Sequence, residues 1–300
     1  MNQETRHISV LLNEAISALK AERGGKFLDC TLGGGGHSKA ILDANSSNTV
    51  VAADRDLRAI ERAQQKFVSY QGRFSALHGT FSSLEAELQG SQFDGILADL
   101  GTSMDQLKEG RGFSFSDHAD LDMRMDESDG ETAADLVNNY SEQDLYVVFR
   151  QGGVGPEARG IAQAIIRARP INFSDELAAV VNKALQGRYR EKKGNPATLV
   201  FQAIRIAVNK ELSEIEALLR AAPKLARTNT RFAVITFHSL EDKLVTNMMR
   251  RWSSGGDFSA VNPTSRGEAR LGRYIARESV QPSKEEISSN PSSRSARLRV

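Results

Sequence analysis

Lys26-Phe27-Leu28-Asp29-Cys30-Thr31-Leu32-Gly33-Gly34-Gly35-Gly36-His37 is the stretch that decides how this chain folds. Residues 26–30 read as a short buried strand that runs into four consecutive glycines, and a helical pattern follows at 38–45. Glycine has no Cβ, so such a turn can bend sharply and let a ligand approach the backbone closely. Taken alone, the glycines are equally a plain tight turn, and their surroundings must choose. Upstream, Leu12, Ile16 and Leu19 recur at helical spacing, and that helix ends near Gly24-Gly25. Downstream, strands at 49–53, 74–78 and 96–99 alternate with helical patterns at 57–67 and 84–88. Strands alternating with helices predict an α/β fold, a parallel sheet covered on both faces.

The rhythm stops after the fourth strand. Residues 104–130 are polar and loop-like, with Phe113, Phe115, Leu121, Met123 and Met125 as isolated apolar anchors. Helices without strands follow. Ser141 to Asp144 resembles a capping box, Pro156 and Pro170 bracket a helix, Ser174 is placed to cap one through Leu185, and Asn195-Pro196 opens another. The α/β pattern resumes with a strand at 231–237, a helix at 240–252 and a final edge strand at 296–300. The expected division is a first part of the sheet domain at 1–105, a helical insertion for substrate recognition at 106–195, and the rest of the sheet domain with a basic tail at 196–300.

Nothing in the chain approaches the ~18 consecutive apolar residues of a membrane span. The first ten residues carry no apolar signal run, and Cys30 is the only cysteine, so no internal disulfide forms and a cytoplasmic setting is expected. Histidines at 7, 37, 78, 118 and 238 have no spacing that suggests a metal cage, so a metal-free protein is expected. The net charge of +1 is uninformative, but its distribution is not: 117–131 is acid-rich, whereas 183–193 and 266–299 are base-rich. Such segments are either solvated faces or local patches for a phosphate backbone.

Asp54 follows the second strand, eighteen residues beyond Gly36. An acid there accepts hydrogen bonds from ribose hydroxyls, which serves NAD and S-adenosylmethionine alike. Four consecutive glycines replace the spaced glycines that bring a helix N-terminus to a pyrophosphate, and this disfavours NAD. Phe81 lies just past the third strand, where it either packs on adenine or belongs to the core, and Asp99 ends the fourth strand, where doubly wound proteins bind ligands.

Together these residues resemble the RsmH family, also called MraW, bacterial methyltransferases of 16S rRNA cytosine N4. The likeness runs through nearly the whole chain. It is carried by Thr31 to Ser38, Ala53-Asp54-Arg55-Asp56, His78-Gly79-Thr80-Phe81-Ser82, Asp94 to Gly101 and Gln106-Leu107. Its more specific marks are Arg111-Gly112-Phe113-Ser114-Phe115, Leu121 to Asp126, Phe201 to Ile206 and Phe237-His238-Ser239-Leu240-Glu241-Asp242. The resemblance implies a Rossmann-like S-adenosylmethionine-dependent sheet with a helical insertion, acting on a decoding-region cytidine of 16S rRNA within the small subunit. Motif by motif it implies cofactor contacts at Gly35, Gly36, His37, Asp54, Phe81, Asp99 and Gln106. Residues alone would not have selected Gln106, which reads as a surface loop amide.

The chain departs from the family pattern at Gly152-Gly153-Val154-Gly155, where Tyr-Gly-Glu-Glu is common, and at Leu199-Val200, where Arg-Thr is common. Met104 and Ser292 replace a serine and an arginine. For the chemistry, the strand-end loop from Asp99 to Ser103 is expected to hold the target amine as charge develops on it. Phe113 and Phe115 are candidates to stack on an exposed base, Arg111 and Arg124 to hold phosphates, and His238 to face the site. The base-rich segments near Arg188 and Arg294 would track the rRNA backbone. A homodimer is compatible with the sequence. Two other classes share some features: a nicotinamide dehydrogenase, for which no hydride-transfer base is found at the strand ends, and a non-catalytic RNA-binding assembly protein, which needs no cofactor cleft.

Overall fold

The computed structural model describes residues 9–103, 106–107, 110–114, 118–186, 197–254 and 270–300. The chain divides into two compact units, one formed by Met1–Gly101 with Leu212–Val300 and the other by Thr102–Glu211.

In the first unit, α1 (Leu12–Leu19), β1 (Lys26–Asp29), α2 (Gly36–Ala44), β2 (Thr49–Asp54), α3 (Leu57–Lys66), β3 (Phe74–His78), α4 (Leu84–Glu87) and β4 (Phe93–Asp99) alternate as the sequence predicts. After the second unit come α10 (Glu211–Leu225), β5 (Ala226–Thr236), α11 (Ser239–Ser254), α12 (Lys284–Ser289) and β6 (Arg297–Arg299). The six described strands form one sheet in the order β3-β2-β1-β4-β5-β6. All neighbours are parallel except β6, which runs antiparallel along the edge of β5. The fold is therefore the expected doubly wound α/β sheet, and its order reverses between β1 and β4.

Alternation along the strands builds two cores, one on each face. Phe27, Val50, Leu97 and Ile235 join Leu19 of α1, Ile41 of α2 and Ile60 of α3 on one face. Leu28, Ala53, Ile96 and Val234 join Leu84 of α4, Leu218 of α10 and Val245 of α11 on the other. β5 is longer than the expected 231–237, because Ala226 pairs with Phe93 before a register shift brings Arg231 opposite Gly95.

In the second unit, α5 (Ala133–Asn139), α6 (Glu142–Gln151), α7 (Ala158–Ala168), α8 (Ser174–Leu185) and α9 (Ala197–Val208) surround one apolar cluster that includes Phe149, Ile161, Leu177 and Ile204. The edge expected at 195 thus lies at 211, because α9 buries Val200, Phe201 and Ile204 among the insertion helices. That burial also accounts for Val200 in place of a polar residue. Gly152 is a packing position: a Cβ there would stand 2.2 Å from the Cβ of Ala203.

Two local expectations are adjusted. Ser141 caps α6 as predicted, its side chain accepting from Asp144 N. Ser174, however, is already the first helical residue of α8, and the Glu176 carboxylate accepts from the backbone N–H groups of Asn172 and Phe173 instead. Asn195-Pro196 lies outside the described residues.

Candidate cofactor and target-amine site

The strand order reverses between β1 and β4, and it is outside the C-terminal strand ends at such a point that doubly wound sheets take their ligands. Each strand delivers one group. β1 ends in Asp29, which is buried; its carboxylate accepts from Thr31 N at 3.1 Å and from the Ser38 hydroxyl at 2.6 Å. The second bond ties the strand to the first turns of α2. Burial pushes Asp29 up to about 7, with Asp54 adding repulsion while the bonds from Ser38 and Thr31 oppose the rise.

Between Asp29 and α2 the glycine turn is shaped as the sequence implies. Gly35 sits at φ +73 before α2, and a Cβ there would meet the Phe67 ring at 2.7 Å. Gly33 donates its N–H to Asp54 at 2.7 Å, and the other Asp54 oxygen accepts from Asp56 N at 2.9 Å. The acid at the end of β2 is thereby locked against the glycine turn. Burial raises its pKa.

β4 ends in Asp99, whose backbone N–H donates to the Thr31 hydroxyl at 2.6 Å. Its Oδ2 lies 3.6 Å from His37 Nδ1, while its Oδ1 is buried without a hydrogen-bond partner among the described residues. Burial first, then the charges of Asp29 and Glu241, holds the Asp99 carboxyl well above the ordinary carboxylate range. His37 is itself buried, and its Nε2 lies 3.1 Å from the Val10 carbonyl oxygen. A carbonyl can only accept, so Nε2 carries a proton and Nδ1 is the atom turned to Asp99.

Phe81 is half-buried against the core on the α4 side of the sheet, so its ring is partly structural. Ser103 and Gln106 belong to the second unit and bind each other: Gln106 Oε1 accepts from Ser103 N at 3.0 Å, and Ser103 Oγ accepts from Gln106 N at 3.2 Å. Gln106 is buried rather than a surface amide.

Several other candidates have partners within the protein. Arg124 makes a two-pronged pair with Asp122 at 2.9 and 2.8 Å, and Arg111 is buried and donates to the carbonyls of Arg124 and Met125. Phe113 packs against the core of the second unit, as do Leu121 and Met123. His238 Nε2 lies 3.0 Å from the buried Glu241, whose other oxygen accepts from Phe237 N and His238 N. Phe115, Met104 and Arg188 lie outside the described residues.

Asp29 is the group that sequence reasoning missed. Its signal was available: an acid closing an apolar strand immediately before the glycines, with a serine nine residues later. Asp29, Asp54 and Asp99 stand close enough at the strand ends to act on one another, Asp54 on Asp29 and Asp29 on Asp99, while the Arg55 charge partly offsets the rise at Asp54. Such a site suits a cation or a neutral donor. A sulfonium nucleoside fits on both counts, with a carboxylate beside the glycine turn for a diol and an unsatisfied buried oxygen for a donor.

The MraW methylase family model matches residues 4–300. A ribosomal RNA small subunit methyltransferase H from Thermomicrobium roseum is 45% identical, covering 99% of this chain and 93% of the relative. One of the same name from Picosynechococcus sp. is 41% identical, covering 100% of this chain and 97% of the relative. A third, from Clostridioides difficile, is 39% identical over 99% and 98%.

Proposed function

Because this chain belongs to the MraW methylase family, we propose that it transfers the methyl group of S-adenosylmethionine to the N4 amine of a cytidine in the decoding region of 16S rRNA. The observation that carries the site assignment is the buried Oδ1 of Asp99, without a hydrogen-bond partner among the described residues, beside two further carboxyl groups near the point where strand order reverses. A dehydrogenase reading is disfavoured by the four consecutive glycines, which replace the spaced glycines of a pyrophosphate site. A purely structural RNA-binding reading leaves unexplained why buried acids crowd at that strand end.

In this reading the backbone of Gly35 and Gly36 turns beside the cofactor, Asp54 accepts from its ribose hydroxyls, Phe81 and His37 line its pocket, and the family resemblance adds Gln106 as a contact. The cofactor, when bound, supplies an activated methyl group on a sulfonium. The protein aligns the amine with that methyl and stabilises developing charge, because cytosine N4 is a poor nucleophile with a delocalised lone pair. Asp99 is suited to accept a hydrogen bond from the amine, drawing its lone pair out of conjugation. In its ionised form Asp99 is also placed to receive the proton as the amine is methylated. His37 Nδ1, 3.6 Å away, orients that carboxylate. Ser103 is the second candidate for positioning the amine.

The helical unit is assigned to substrate recognition. The cytidine is presented by the small ribosomal subunit, which puts the enzyme in the cytoplasm; no helix among the described residues is long and apolar enough to cross a membrane. Sedimentation of the pure protein tests for a homodimer.

Methylation with labelled cofactor of small-subunit particles, intact ribosomes and naked rRNA, followed by mapping of the modified nucleotide, tests the proposal. Label on a decoding-region cytidine is expected, and label elsewhere refutes the substrate. Asp99→Ala is expected to slow single turnover by about 100-fold or more. Unchanged single turnover together with unchanged cofactor binding would reject both roles of Asp99.

A further inference from the structure

A second cavity, of about 600 Å³, lies in the first unit between α11 and the end of the chain. One wall is the outer face of α11, where Lys243, Asn247 and Arg250 recur at helical spacing and are all exposed. The opposite wall carries Arg294 and Arg297, also exposed. Among the described residues Asp242 is the only carboxylate lining the cavity, and it is already taken by Arg299, which donates to its two oxygens at 2.9 Å each. Lys243, Arg250, Arg294 and Arg297 form no ion pair with any described residue. Their charge is therefore open to an incoming anion. Neutral donors stand among them, including Asn247, Gln281 and Ser295.

The cavity is placed to serve the reaction. Its inner end is formed by Phe237 and His238, directly past β5. Asp99 pairs in register with Ile235 of that strand, and the Phe237 ring stands 3.6 Å from where a Cβ on Gly101 would lie. The charge of Glu241, which holds His238, is felt at Asp99. Cavity and catalytic strand end thus share one edge of the sheet. Spaced single charges interleaved with neutral donors match the singly charged, regularly spaced phosphodiesters of a nucleic-acid strand.

We propose that this cavity is a phosphodiester pocket that grips the RNA strand beside the target nucleotide while the base itself enters the crevice at Asp99. The proposal rests on the reading of the chain as an RNA methyltransferase. It gives a physical role to the basic tail that the cofactor site does not use.

The test is a salt titration of binding to a labelled 16S rRNA fragment that contains the decoding region. Wild type is compared with Arg250→Gln/Arg297→Gln, with Arg250→Lys/Arg297→Lys, and with Arg23→Gln/Arg220→Gln as an equal charge loss elsewhere on the first unit. The Gln pair in the cavity is expected to weaken binding tenfold or more and to flatten the slope of log affinity against log salt by about 1.4, the value for two single-strand phosphates. The Lys pair restores the slope, and calorimetry shows S-adenosylmethionine affinity unchanged in all. Equal effects from the control pair, or no effect from the cavity pair, overturn the pocket while leaving the methyltransferase reading intact. Tighter binding of a polyglutamate peptide than of RNA also overturns it. A wild-type protein that takes up the cofactor but neither binds nor methylates ribosomal RNA removes the functional reading, and the pocket with it.

Discussion

Asp29→Asn is the substitution for which the structure makes the sharpest demand. The wild-type carboxyl is buried and its pKa is pushed from 3.8 to about 7. Between those values the unfolded chain has lost the proton and the native state has kept it, so stability must fall as pH rises and level off above 7. At ~1.4 kcal/mol per pKa unit, the fall across the whole window is about 4 kcal/mol, of which about 3 kcal/mol lies between pH 5 and 8. Asparagine keeps the shape of the site: its amide oxygen can accept from Thr31 N, and its amino group can donate to the Ser38 hydroxyl that now donates to Asp29. The variant should therefore gain on wild type steadily from pH 5 to 7 and keep that gain at pH 8. Removing the Asp29 charge also relieves Asp99, which flattens the variant's profile further. Urea unfolding from pH 5 to 8 can be followed through Trp252, the single tryptophan, which packs against a core of the first unit. Parallel stability profiles for the two proteins would refute the argument that Asp29 is held protonated by burial.

Gly35→Ala places a Cβ in the left-handed region against a Phe67 ring that is itself stacked on Phe74 at 4.1 Å, so the ring has little freedom to yield. A loss of about 1–3 kcal/mol in urea unfolding is expected, with weaker cofactor binding by calorimetry. Asp54→Ala removes the acceptor of both Gly33 N and Asp56 N and is expected to cost cofactor affinity at least tenfold in the same assay. Phe149→Ala, at a fully buried position of the second unit, should destabilise by about 3–5 kcal/mol, measured as the loss of helical circular dichroism in urea.

The sheet and most of the crevice were legible because they rest on local chemistry. Period-two burial, a glycine run after a strand and acids at strand ends all leave marks in a single line of sequence. Asp29 escaped because it continues an apolar strand, and only the fold shows that its side chain is sealed under Ser38. The insertion's far edge escaped for another reason. The 3.6-residue spacing of Val200, Ile204 and Val208 announces a buried helical face but cannot say which core receives it. Arg111 and Arg124 misled in a third way: an arginine beside acids is equally a phosphate ligand or a loop brace, and Asp122 with the carbonyls of 124 and 125 decides for the brace. His238 resolves likewise through its contact with Glu241.

The pairing of β4 with β5 carries a consequence for how the molecule is made. Thr230 donates to the carbonyl of Phe93 across 137 positions of chain, and everything in the helical unit lies between them. As the polypeptide leaves the ribosome, Phe93–Asp99 emerges with one flank bare and must wait for its partner while the intervening helices are still being synthesised. Those helices make their core from a single continuous stretch and can condense meanwhile. Birth order thus favours completing the inserted body first and zipping the sheet shut last.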